Sequence, residues 1–204
     1  VGRWIVLIRS QGDAISFWNA GRIFLVSSFI GTALPTGGAD ITRAYALSQH
    51  TDNGRAAVAS VAVDRLLGVT ALMLLAVVGL SLTSDAATNP LRLFATTISV
   101  VTVIATTTAF FGDYLTNLIF PQQIRQHPVG QWIIDTAANI ALFRTRYRVL
   151  AIVFLQSLLV QALRIFEVFL LGSGLGLNVE FTYYLSVMPI GLLAFMLPVS
   201  IAGI

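Results

Sequence analysis

Leu34-Pro-Thr-Gly-Gly-Ala-Asp-Ile-Thr-Arg43 decides how this chain folds. The stretch follows an apolar run, Phe17 to Leu34, that only Asn19 and Arg22 interrupt. Pro35 ends a helix, because it offers no N–H and its ring excludes the preceding turn. Gly37 and Gly38 allow a tight backbone and close approach. Asp40 then suits the cap of a second helix, Ala39 to His50. On that helix Asp40 and Arg43 stand three residues apart, on one face. The chain is expected to enter a membrane, turn at Pro35–Gly38 and come back.

The membrane itself follows from composition. Of 204 residues, 56% are hydrophobic and only 10% are charged. A soluble domain carries about 25% charged residues. Four further stretches approach the ~20 apolar residues needed to span a bilayer: Val58 to Leu82, Leu93 to Phe111, Val149 to Leu171 and Phe181 to Ile204. The last contains Pro189 and Pro198. Thr83–Asn89, Gly112–Gly130 and Gly172–Glu180 read as linkers, the run Gly172-Ser-Gly-Leu-Gly176 as a flexible loop. Gln131 to Arg148 reads as an interfacial helix or a plain connector, with Trp132 as aromatic anchor in the first case. Val1 to Arg9 is too short for a signal peptide and has no cleavage site. With Val1 in place of Met, and an apolar run at the other end, the sequence reads as a piece of a longer chain. Residues 1–204 are expected to form one all-α, polytopic membrane unit.

Arginine placement supports the hairpin. If Phe17–Leu34 crossed fully, Arg3, Arg9 and Arg92 would share one side. Arg43, Arg55, Arg125, Arg144, Arg146 and Arg148 would lie on the other. If it re-enters, Arg3, Arg9, Arg55, Arg125, Arg144, Arg146 and Arg148 share one side and Arg92 is alone opposite. The positive-inside bias favours the second arrangement and makes the arginine-rich side cytoplasmic. Irregular backbone at membrane depth is tolerated only where it is buried or lines a wet cavity, so the hairpin implies a cavity.

Several chemistries are excluded. All twelve basic residues are Arg, which removes a P-loop or a Schiff-base lysine. There is no Cys, and His50 and His127 are far apart, so neither a thiolate nor a HExxH zinc site is available. No cofactor or metal motif is present. The scattered Arg residues suit anionic phospholipid headgroups better than nucleic acid.

Charges within the apolar segments are the remaining chemistry, since each costs about 2.5–3.5 kcal/mol at a helix centre on insertion scales. Asp40 and Arg43 form one candidate cluster, with Gly37, Gly38 and the helix start beside them as an anion site. The alternative is a capped helix with a structural ion pair. Asp64 and Arg65 form the second. Neighbours on a helix point about 100° apart, so each needs a partner elsewhere, and Arg43 suits Asp64. Both could instead snorkel to the interface. Arg164 and Glu167, with Gln156 on the same stripe, form the third, either an ion pair or a functional site. Glu167 is its stronger functional candidate, because carboxylates snorkel poorly. The closing Phe195-Met-Leu-Pro-Val-Ser-Ile-Ala-Gly203 repeats the outline of Phe29 to Gly38. With Pro198 and Gly203 in the places of Pro35 and Gly38, the two stretches read either as an inverted repeat of broken helices or as two Leu-Pro steps recurring by chance.

Several of these pieces resemble one family. They are Arg3-Trp4, Arg9-Ser-Gln-Gly12, Ser28-Phe29 with Leu34-Pro35, Gly37-Gly38-Ala-Asp40 with Arg43-Ala-Tyr45, Val63-Asp64-Arg65-Leu-Leu-Gly68 and Leu197-Pro-Val-Ser-Ile-Ala-Gly203. Together they resemble the flippase-like transmembrane region of lysylphosphatidylglycerol synthases and related uncharacterised multi-pass proteins. The family's usual Pro-Gly step is Pro35-Thr36 here. One or two N-terminal helices of the pattern, and its closing Gly-x-x-Glu, do not appear in the sequence. The resemblance implies a bacterial or archaeal inner-membrane protein that moves aminoacylated phosphatidylglycerol, or a related lipid-linked substrate, between leaflets. It also implies a separate soluble synthase domain or partner enzyme, so no enzyme activity is carried over to this chain. Oligomers are compatible with it. Two other roles stay open: a membrane anchor or scaffold, and an intramembrane transferase with Asp40, Asp64 or Glu167 as base.

Overall fold

The computed structural model describes residues 1–13, 15–34, 37–51, 53–83, 90–121 and 125–196. Pro35, Pro198, Gly203 and the proposed closing repeat from Leu197 onward lie outside the described residues. Within them the chain is all-α. The helices are α1 (Gly2–Ser10), α2 (Phe17–Ala33), α3 (Gly38–Ser48), α4 (Gly54–Leu82), α5 (Pro90–Phe110), α6 (Gly112–Ile119), α7 (Pro128–Leu142), α8 (Tyr147–Gly174) and α9 (Phe181–Met196). Three of them are long and apolar enough to cross a membrane: α4, α5 from Arg92, and α8.

The α2–α3 hairpin is present. Ser16 caps α2 by accepting from the Asn19 N–H, and the helix stops at Leu34, which is extended. Gly37 then takes φ +97°, a left-handed conformation that disfavours any side chain. It is Gly37, and not Asp40, that caps α3; Asp40 lies one turn inside. The reason is steric, since the reversal needs the left-handed residue immediately before the helix. The two helices then run back along each other. An added Cβ on Gly31 would fall 2.5 Å from Ala39 Cβ, and the Arg43 guanidinium lies 5.0 Å from the Phe24 ring centre. At 1.5 Å per residue α3 is only about 16 Å long, too short to cross a ~30 Å hydrocarbon core.

Around the hairpin, α4 is the central post. It packs against α1, α3, α5, α7, α8 and α9. Asn53 caps it through the N–H groups of Arg55 and Ala56. Its closest neighbour is α9. A Cβ on Gly79 would lie 2.5 Å from the Leu185 carbonyl carbon and 2.6 Å from the Ser186 nitrogen. Thr83 Oγ1 and Ser186 Oγ are 3.0 Å apart beside this contact. Pro189 is buried inside α9 and does not end it.

Three local expectations change. The expected linker Gly112–Gly130 contains α6, which packs against α7. The expected surface helix Gln131–Arg148 is interrupted by a 3-10 turn, Phe143–Thr145, that buries Phe143 and places Arg148 on α8. The expected loop at Gly172 is still helix, because the missing side chain leaves room for the Tyr184 hydroxyl. Arg3, on α1, lies against Asp64, ten residues into α4. The amphipathic α1 buries Trp4, Ile5, Leu7 and Ile8, which draws Arg3 inward with them.

Gly79→Ala is expected to lower stability by about 1–3 kcal/mol through overpacking against α9. Gly21→Ala, with nothing within 4 Å of its added Cβ, is expected to be neutral or to gain up to ~1 kcal/mol. Thermal unfolding in detergent compares them, and an equal effect of both contradicts the tight α4–α9 contact.

Candidate functional site

The charged residues of four helices meet beside the hairpin. Asp64 is 4% exposed. Its Oδ1 lies 2.5 Å from Arg3 Nε, an ion pair without hydrogen-bond alignment. Its Oδ2 accepts from Arg3 Nη2 at 3.1 Å and Arg43 Nη1 at 3.4 Å. Arg43 Nη2 also donates to Asp40 Oδ1 at 2.5 Å. Arg65 Nη1 lies 3.1 Å from Asp40 Oδ2. The result is a continuous chain, Arg3–Asp64–Arg43–Asp40–Arg65, linking α1, α3 and α4. Arg3 Nη1 extends it to α8 by donating to Ser157 Oγ at 3.1 Å.

Aromatic and hydroxyl groups hold this chain in place. The Arg43 guanidinium sits 5.4 Å from the Trp4 ring centre as well as 5.0 Å from that of Phe24. Such contacts favour a cation where water is scarce. Trp4 is itself fixed, with Nε1 donating to Ser60 Oγ at 3.3 Å. Arg43 Nε remains buried without a partner, so one guanidinium donor is unspent.

The cluster borders two adjoining hollows of about 120 and 310 Å³. Arg3, Phe24, Asp64, Val160 and Arg164 line both. Asp40, Arg43, Arg65, Gly68 and Gln161 complete the smaller; Gln156 and Leu159 belong to the larger. The larger alone reaches the ~300 Å³ typical of the smallest ligand pockets. Four guanidinium groups face two carboxylates, an excess of two positive charges. Arg164 makes no ion pair or hydrogen bond among the described residues.

The depth of the site follows from helix arithmetic. Gly68 has fourteen residues of α4 on either side, and Gln161 has fourteen residues of α8 before it and thirteen after. Gln161 Nε2 donates to the Gly68 carbonyl at 3.1 Å. Thus α4 and α8 are tied at their midpoints, and the hollows open there. Side-chain volume at Gly68 would intrude toward Arg3, whose Nη2 is 3.5 Å from a Cβ built on it.

Of the residues singled out in sequence, Asp40, Arg43, Asp64 and Arg65 come together, and the expected Asp64–Arg43 pair forms. Gly37 and Gly38 do not line the hollows; they make the turn, with Gly38 closed against Leu34. Glu167 is exposed on α8, does not line the hollows, and makes no ion pair with Arg164. Sequence reasoning missed Arg3, Ser157 and Gln161 as site residues. Gln161 stands three residues before Arg164, a helical spacing that could have flagged it. No third Asp, Glu or His joins Asp40 and Asp64 among the described residues, and guanidinium groups already hold both carboxylates.

The fold and this site define an all-α membrane protein with an arginine-rich centre. The family model described as the lysylphosphatidylglycerol synthase TM region matches residues 1–204, and the chain belongs to that family. The family ties this membrane domain to lipid modification or transport. No curated protein and no solved structure gives a match.

Asp64→Asn is expected to cost about 3–5 kcal/mol, since it leaves Arg3 without a carboxylate and Arg43 with Asp40 alone. Asp135→Asn breaks the half-exposed Arg55–Asp135 pair and is expected to cost ~1 kcal/mol or less. Unfolding of the two purified variants in detergent decides between this order and its reverse.

Proposed function

We propose that this chain is a multi-pass domain of a bacterial or archaeal inner membrane that carries anionic phospholipid headgroups between leaflets. The observation that carries the reading is the excess of guanidinium groups around hollows at the midpoints of α4 and α8. A phosphodiester is the anion a bilayer supplies there. Arginine suits it, because its planar donors match phosphate oxygens. The family match supports a lipid as cargo, with aminoacylated phosphatidylglycerol or a related lipid as the expected substrate.

In this reading the headgroup enters the polar hollows while its acyl chains stay in lipid. Burial in protein spares the phosphate much of the cost of a bare crossing. Arg43 is restrained by Asp40, Asp64, Trp4 and Phe24, so little side-chain freedom is lost when its unpartnered Nε–H meets phosphate. The paired carboxylates keep the cluster from holding an anion too tightly, which a carrier requires for release. With no P-loop in the sequence, movement is energy-independent or ion-coupled. Chemistry on the lipid is assigned to a separate soluble domain or partner enzyme.

Proteoliposomes of the full-length natural protein test this. Fluorescent phosphatidylglycerol is expected to become fully quenchable by external dithionite with wild type, and to stay about half protected in protein-free vesicles. Arg43→Gln and Asp40→Asn, in variants that elute as wild type, are expected to slow exchange by about tenfold, the scale of one charge-assisted hydrogen bond. Undiminished exchange in both folded variants refutes the assigned site.

A further inference from the structure

Gln161 is 2% exposed, and the partners of its two amide atoms are unequal. The Gly68 carbonyl can only accept, so the amide nitrogen must face it, as it does at 3.1 Å. That fixes the orientation of the amide. Its Oε1 is then a buried acceptor without a partner. Leaving such an atom unsatisfied forfeits the hydrogen bond it made to water in the unfolded chain. Gln161 lines the smaller hollow, and Gln156, whose Oε1 is also buried and unpartnered, lines the larger. Arg164, one turn beyond Gln161, lines both hollows. It has no acidic partner among the described residues, whereas Arg3, Arg43 and Arg65 are each paired with a carboxylate.

We propose that Arg164 and Gln161 form the pair that reads the headgroup, with Arg164 holding the phosphate and Gln161 Oε1 accepting from a donor on the group esterified to it. The ligand class is a phosphate ester whose alcohol carries a hydroxyl or ammonium group. Residues three apart on a helix place their Cβ atoms about 5–6 Å from each other. That span suits a phosphate and a donor joined by a two- or three-carbon bridge, as in glycerol or ethanolamine esters. A methyl ester offers the same charge and no donor, so it leaves Gln161 Oε1 orphaned. The carboxylate-paired arginines set the field of the hollow, Arg43 adding its unspent Nε–H to the same phosphate, while Arg164 is free to follow it. Gln156 supplies a second acceptor farther out. The assignment of a lipid as the ester rests on the exchange function proposed above.

The test uses the full-length natural protein in proteoliposomes with two fluorescent lipids of equal charge, phosphatidylglycerol and phosphatidylmethanol. Wild type is expected to exchange phosphatidylglycerol about five- to tenfold faster, the worth of roughly one hydrogen bond. Gln161→Met is expected to bring that ratio toward one. Arg164→Gln is expected to slow both lipids and keep the ratio. Because Gln161 also ties α8 to α4, Gln156→Leu serves as a second variant; it breaks no hydrogen bond between described residues and is expected to lower the ratio in part. Equal exchange of the two lipids by wild type overturns the headgroup-reading pair while leaving lipid exchange standing. An unchanged ratio in a folded Gln161→Met variant overturns it as well. A soluble arm separates lipid from free ester by the shift in unfolding temperature with glycerol phosphate and with methyl phosphate. Stabilisation by glycerol phosphate alone, without lipid exchange, keeps the recognition chemistry and removes the lipid. No exchange and no such stabilisation overturn both readings.

Discussion

The carboxylate of Asp64, held between Arg3 and Arg43, is the constraint on which the rest of this structure depends. A buried charge is costly unless it is paired, and here one acid answers two guanidinium groups from two other helices. That requirement fixes α1 against α4 and draws α3, the returning arm of the hairpin, to the same point along α4. Asp40 continues the alternation of charge to Arg65, so no member of the chain stands alone. The hairpin and the ion network therefore support each other. Without the reversal at Gly37, Arg43 could not reach Asp64; without Asp64, the short α1 and α3 would lose their polar anchor.

Around that network the packing is arranged for close approach. Gly31 brings the two arms of the hairpin together, and Gly79 lets α9 settle on α4. Gly68 works differently, leaving space beside Arg3 and offering its carbonyl to Gln161. Ser157 and Gln161, both buried on α8, then join it to α1 and α4 respectively through polar contacts rather than apolar area alone. The consequence is a polar centre walled by apolar helices. Its surplus of arginine is the basis of the proposed anion site, and its orphaned acceptors are the basis of the proposed donor contact.

Much of this was legible along the chain. Pro35 and the glycine pair announce a reversal, and the arginine distribution fits a hairpin better than a crossing. The three-residue spacing of Asp40 and Arg43 foretells their pairing. Only half of the pairing of Asp64 is visible in the sequence, the half that Arg43 supplies. Arg3 is 61 residues away on a helix of nine residues, and nothing in local periodicity marks so short a helix as part of the centre. Gln161 was hidden for a related reason. A lone amide on an apolar helix gains meaning only from the facing carbonyl of Gly68, 93 residues earlier. Glu167 shows the converse. Helical spacing placed it near Arg164, but the packing of α8 leaves it outside the hollows.

The central claim is that water and charge reach the midpoints of α4 and α8. The sequence holds no Cys, so a single Cys at Val160, which lines both hollows, can carry a spin label in the full-length protein once any Cys outside this sequence is replaced. Leu163, exposed on the same helix, provides the control. In bilayers the account predicts strong relaxation of the Val160 label by a water-soluble nickel chelate. Leu163 should respond to dissolved oxygen and little to nickel. Oxygen-dominated relaxation at both positions would contradict a polar cavity at that depth.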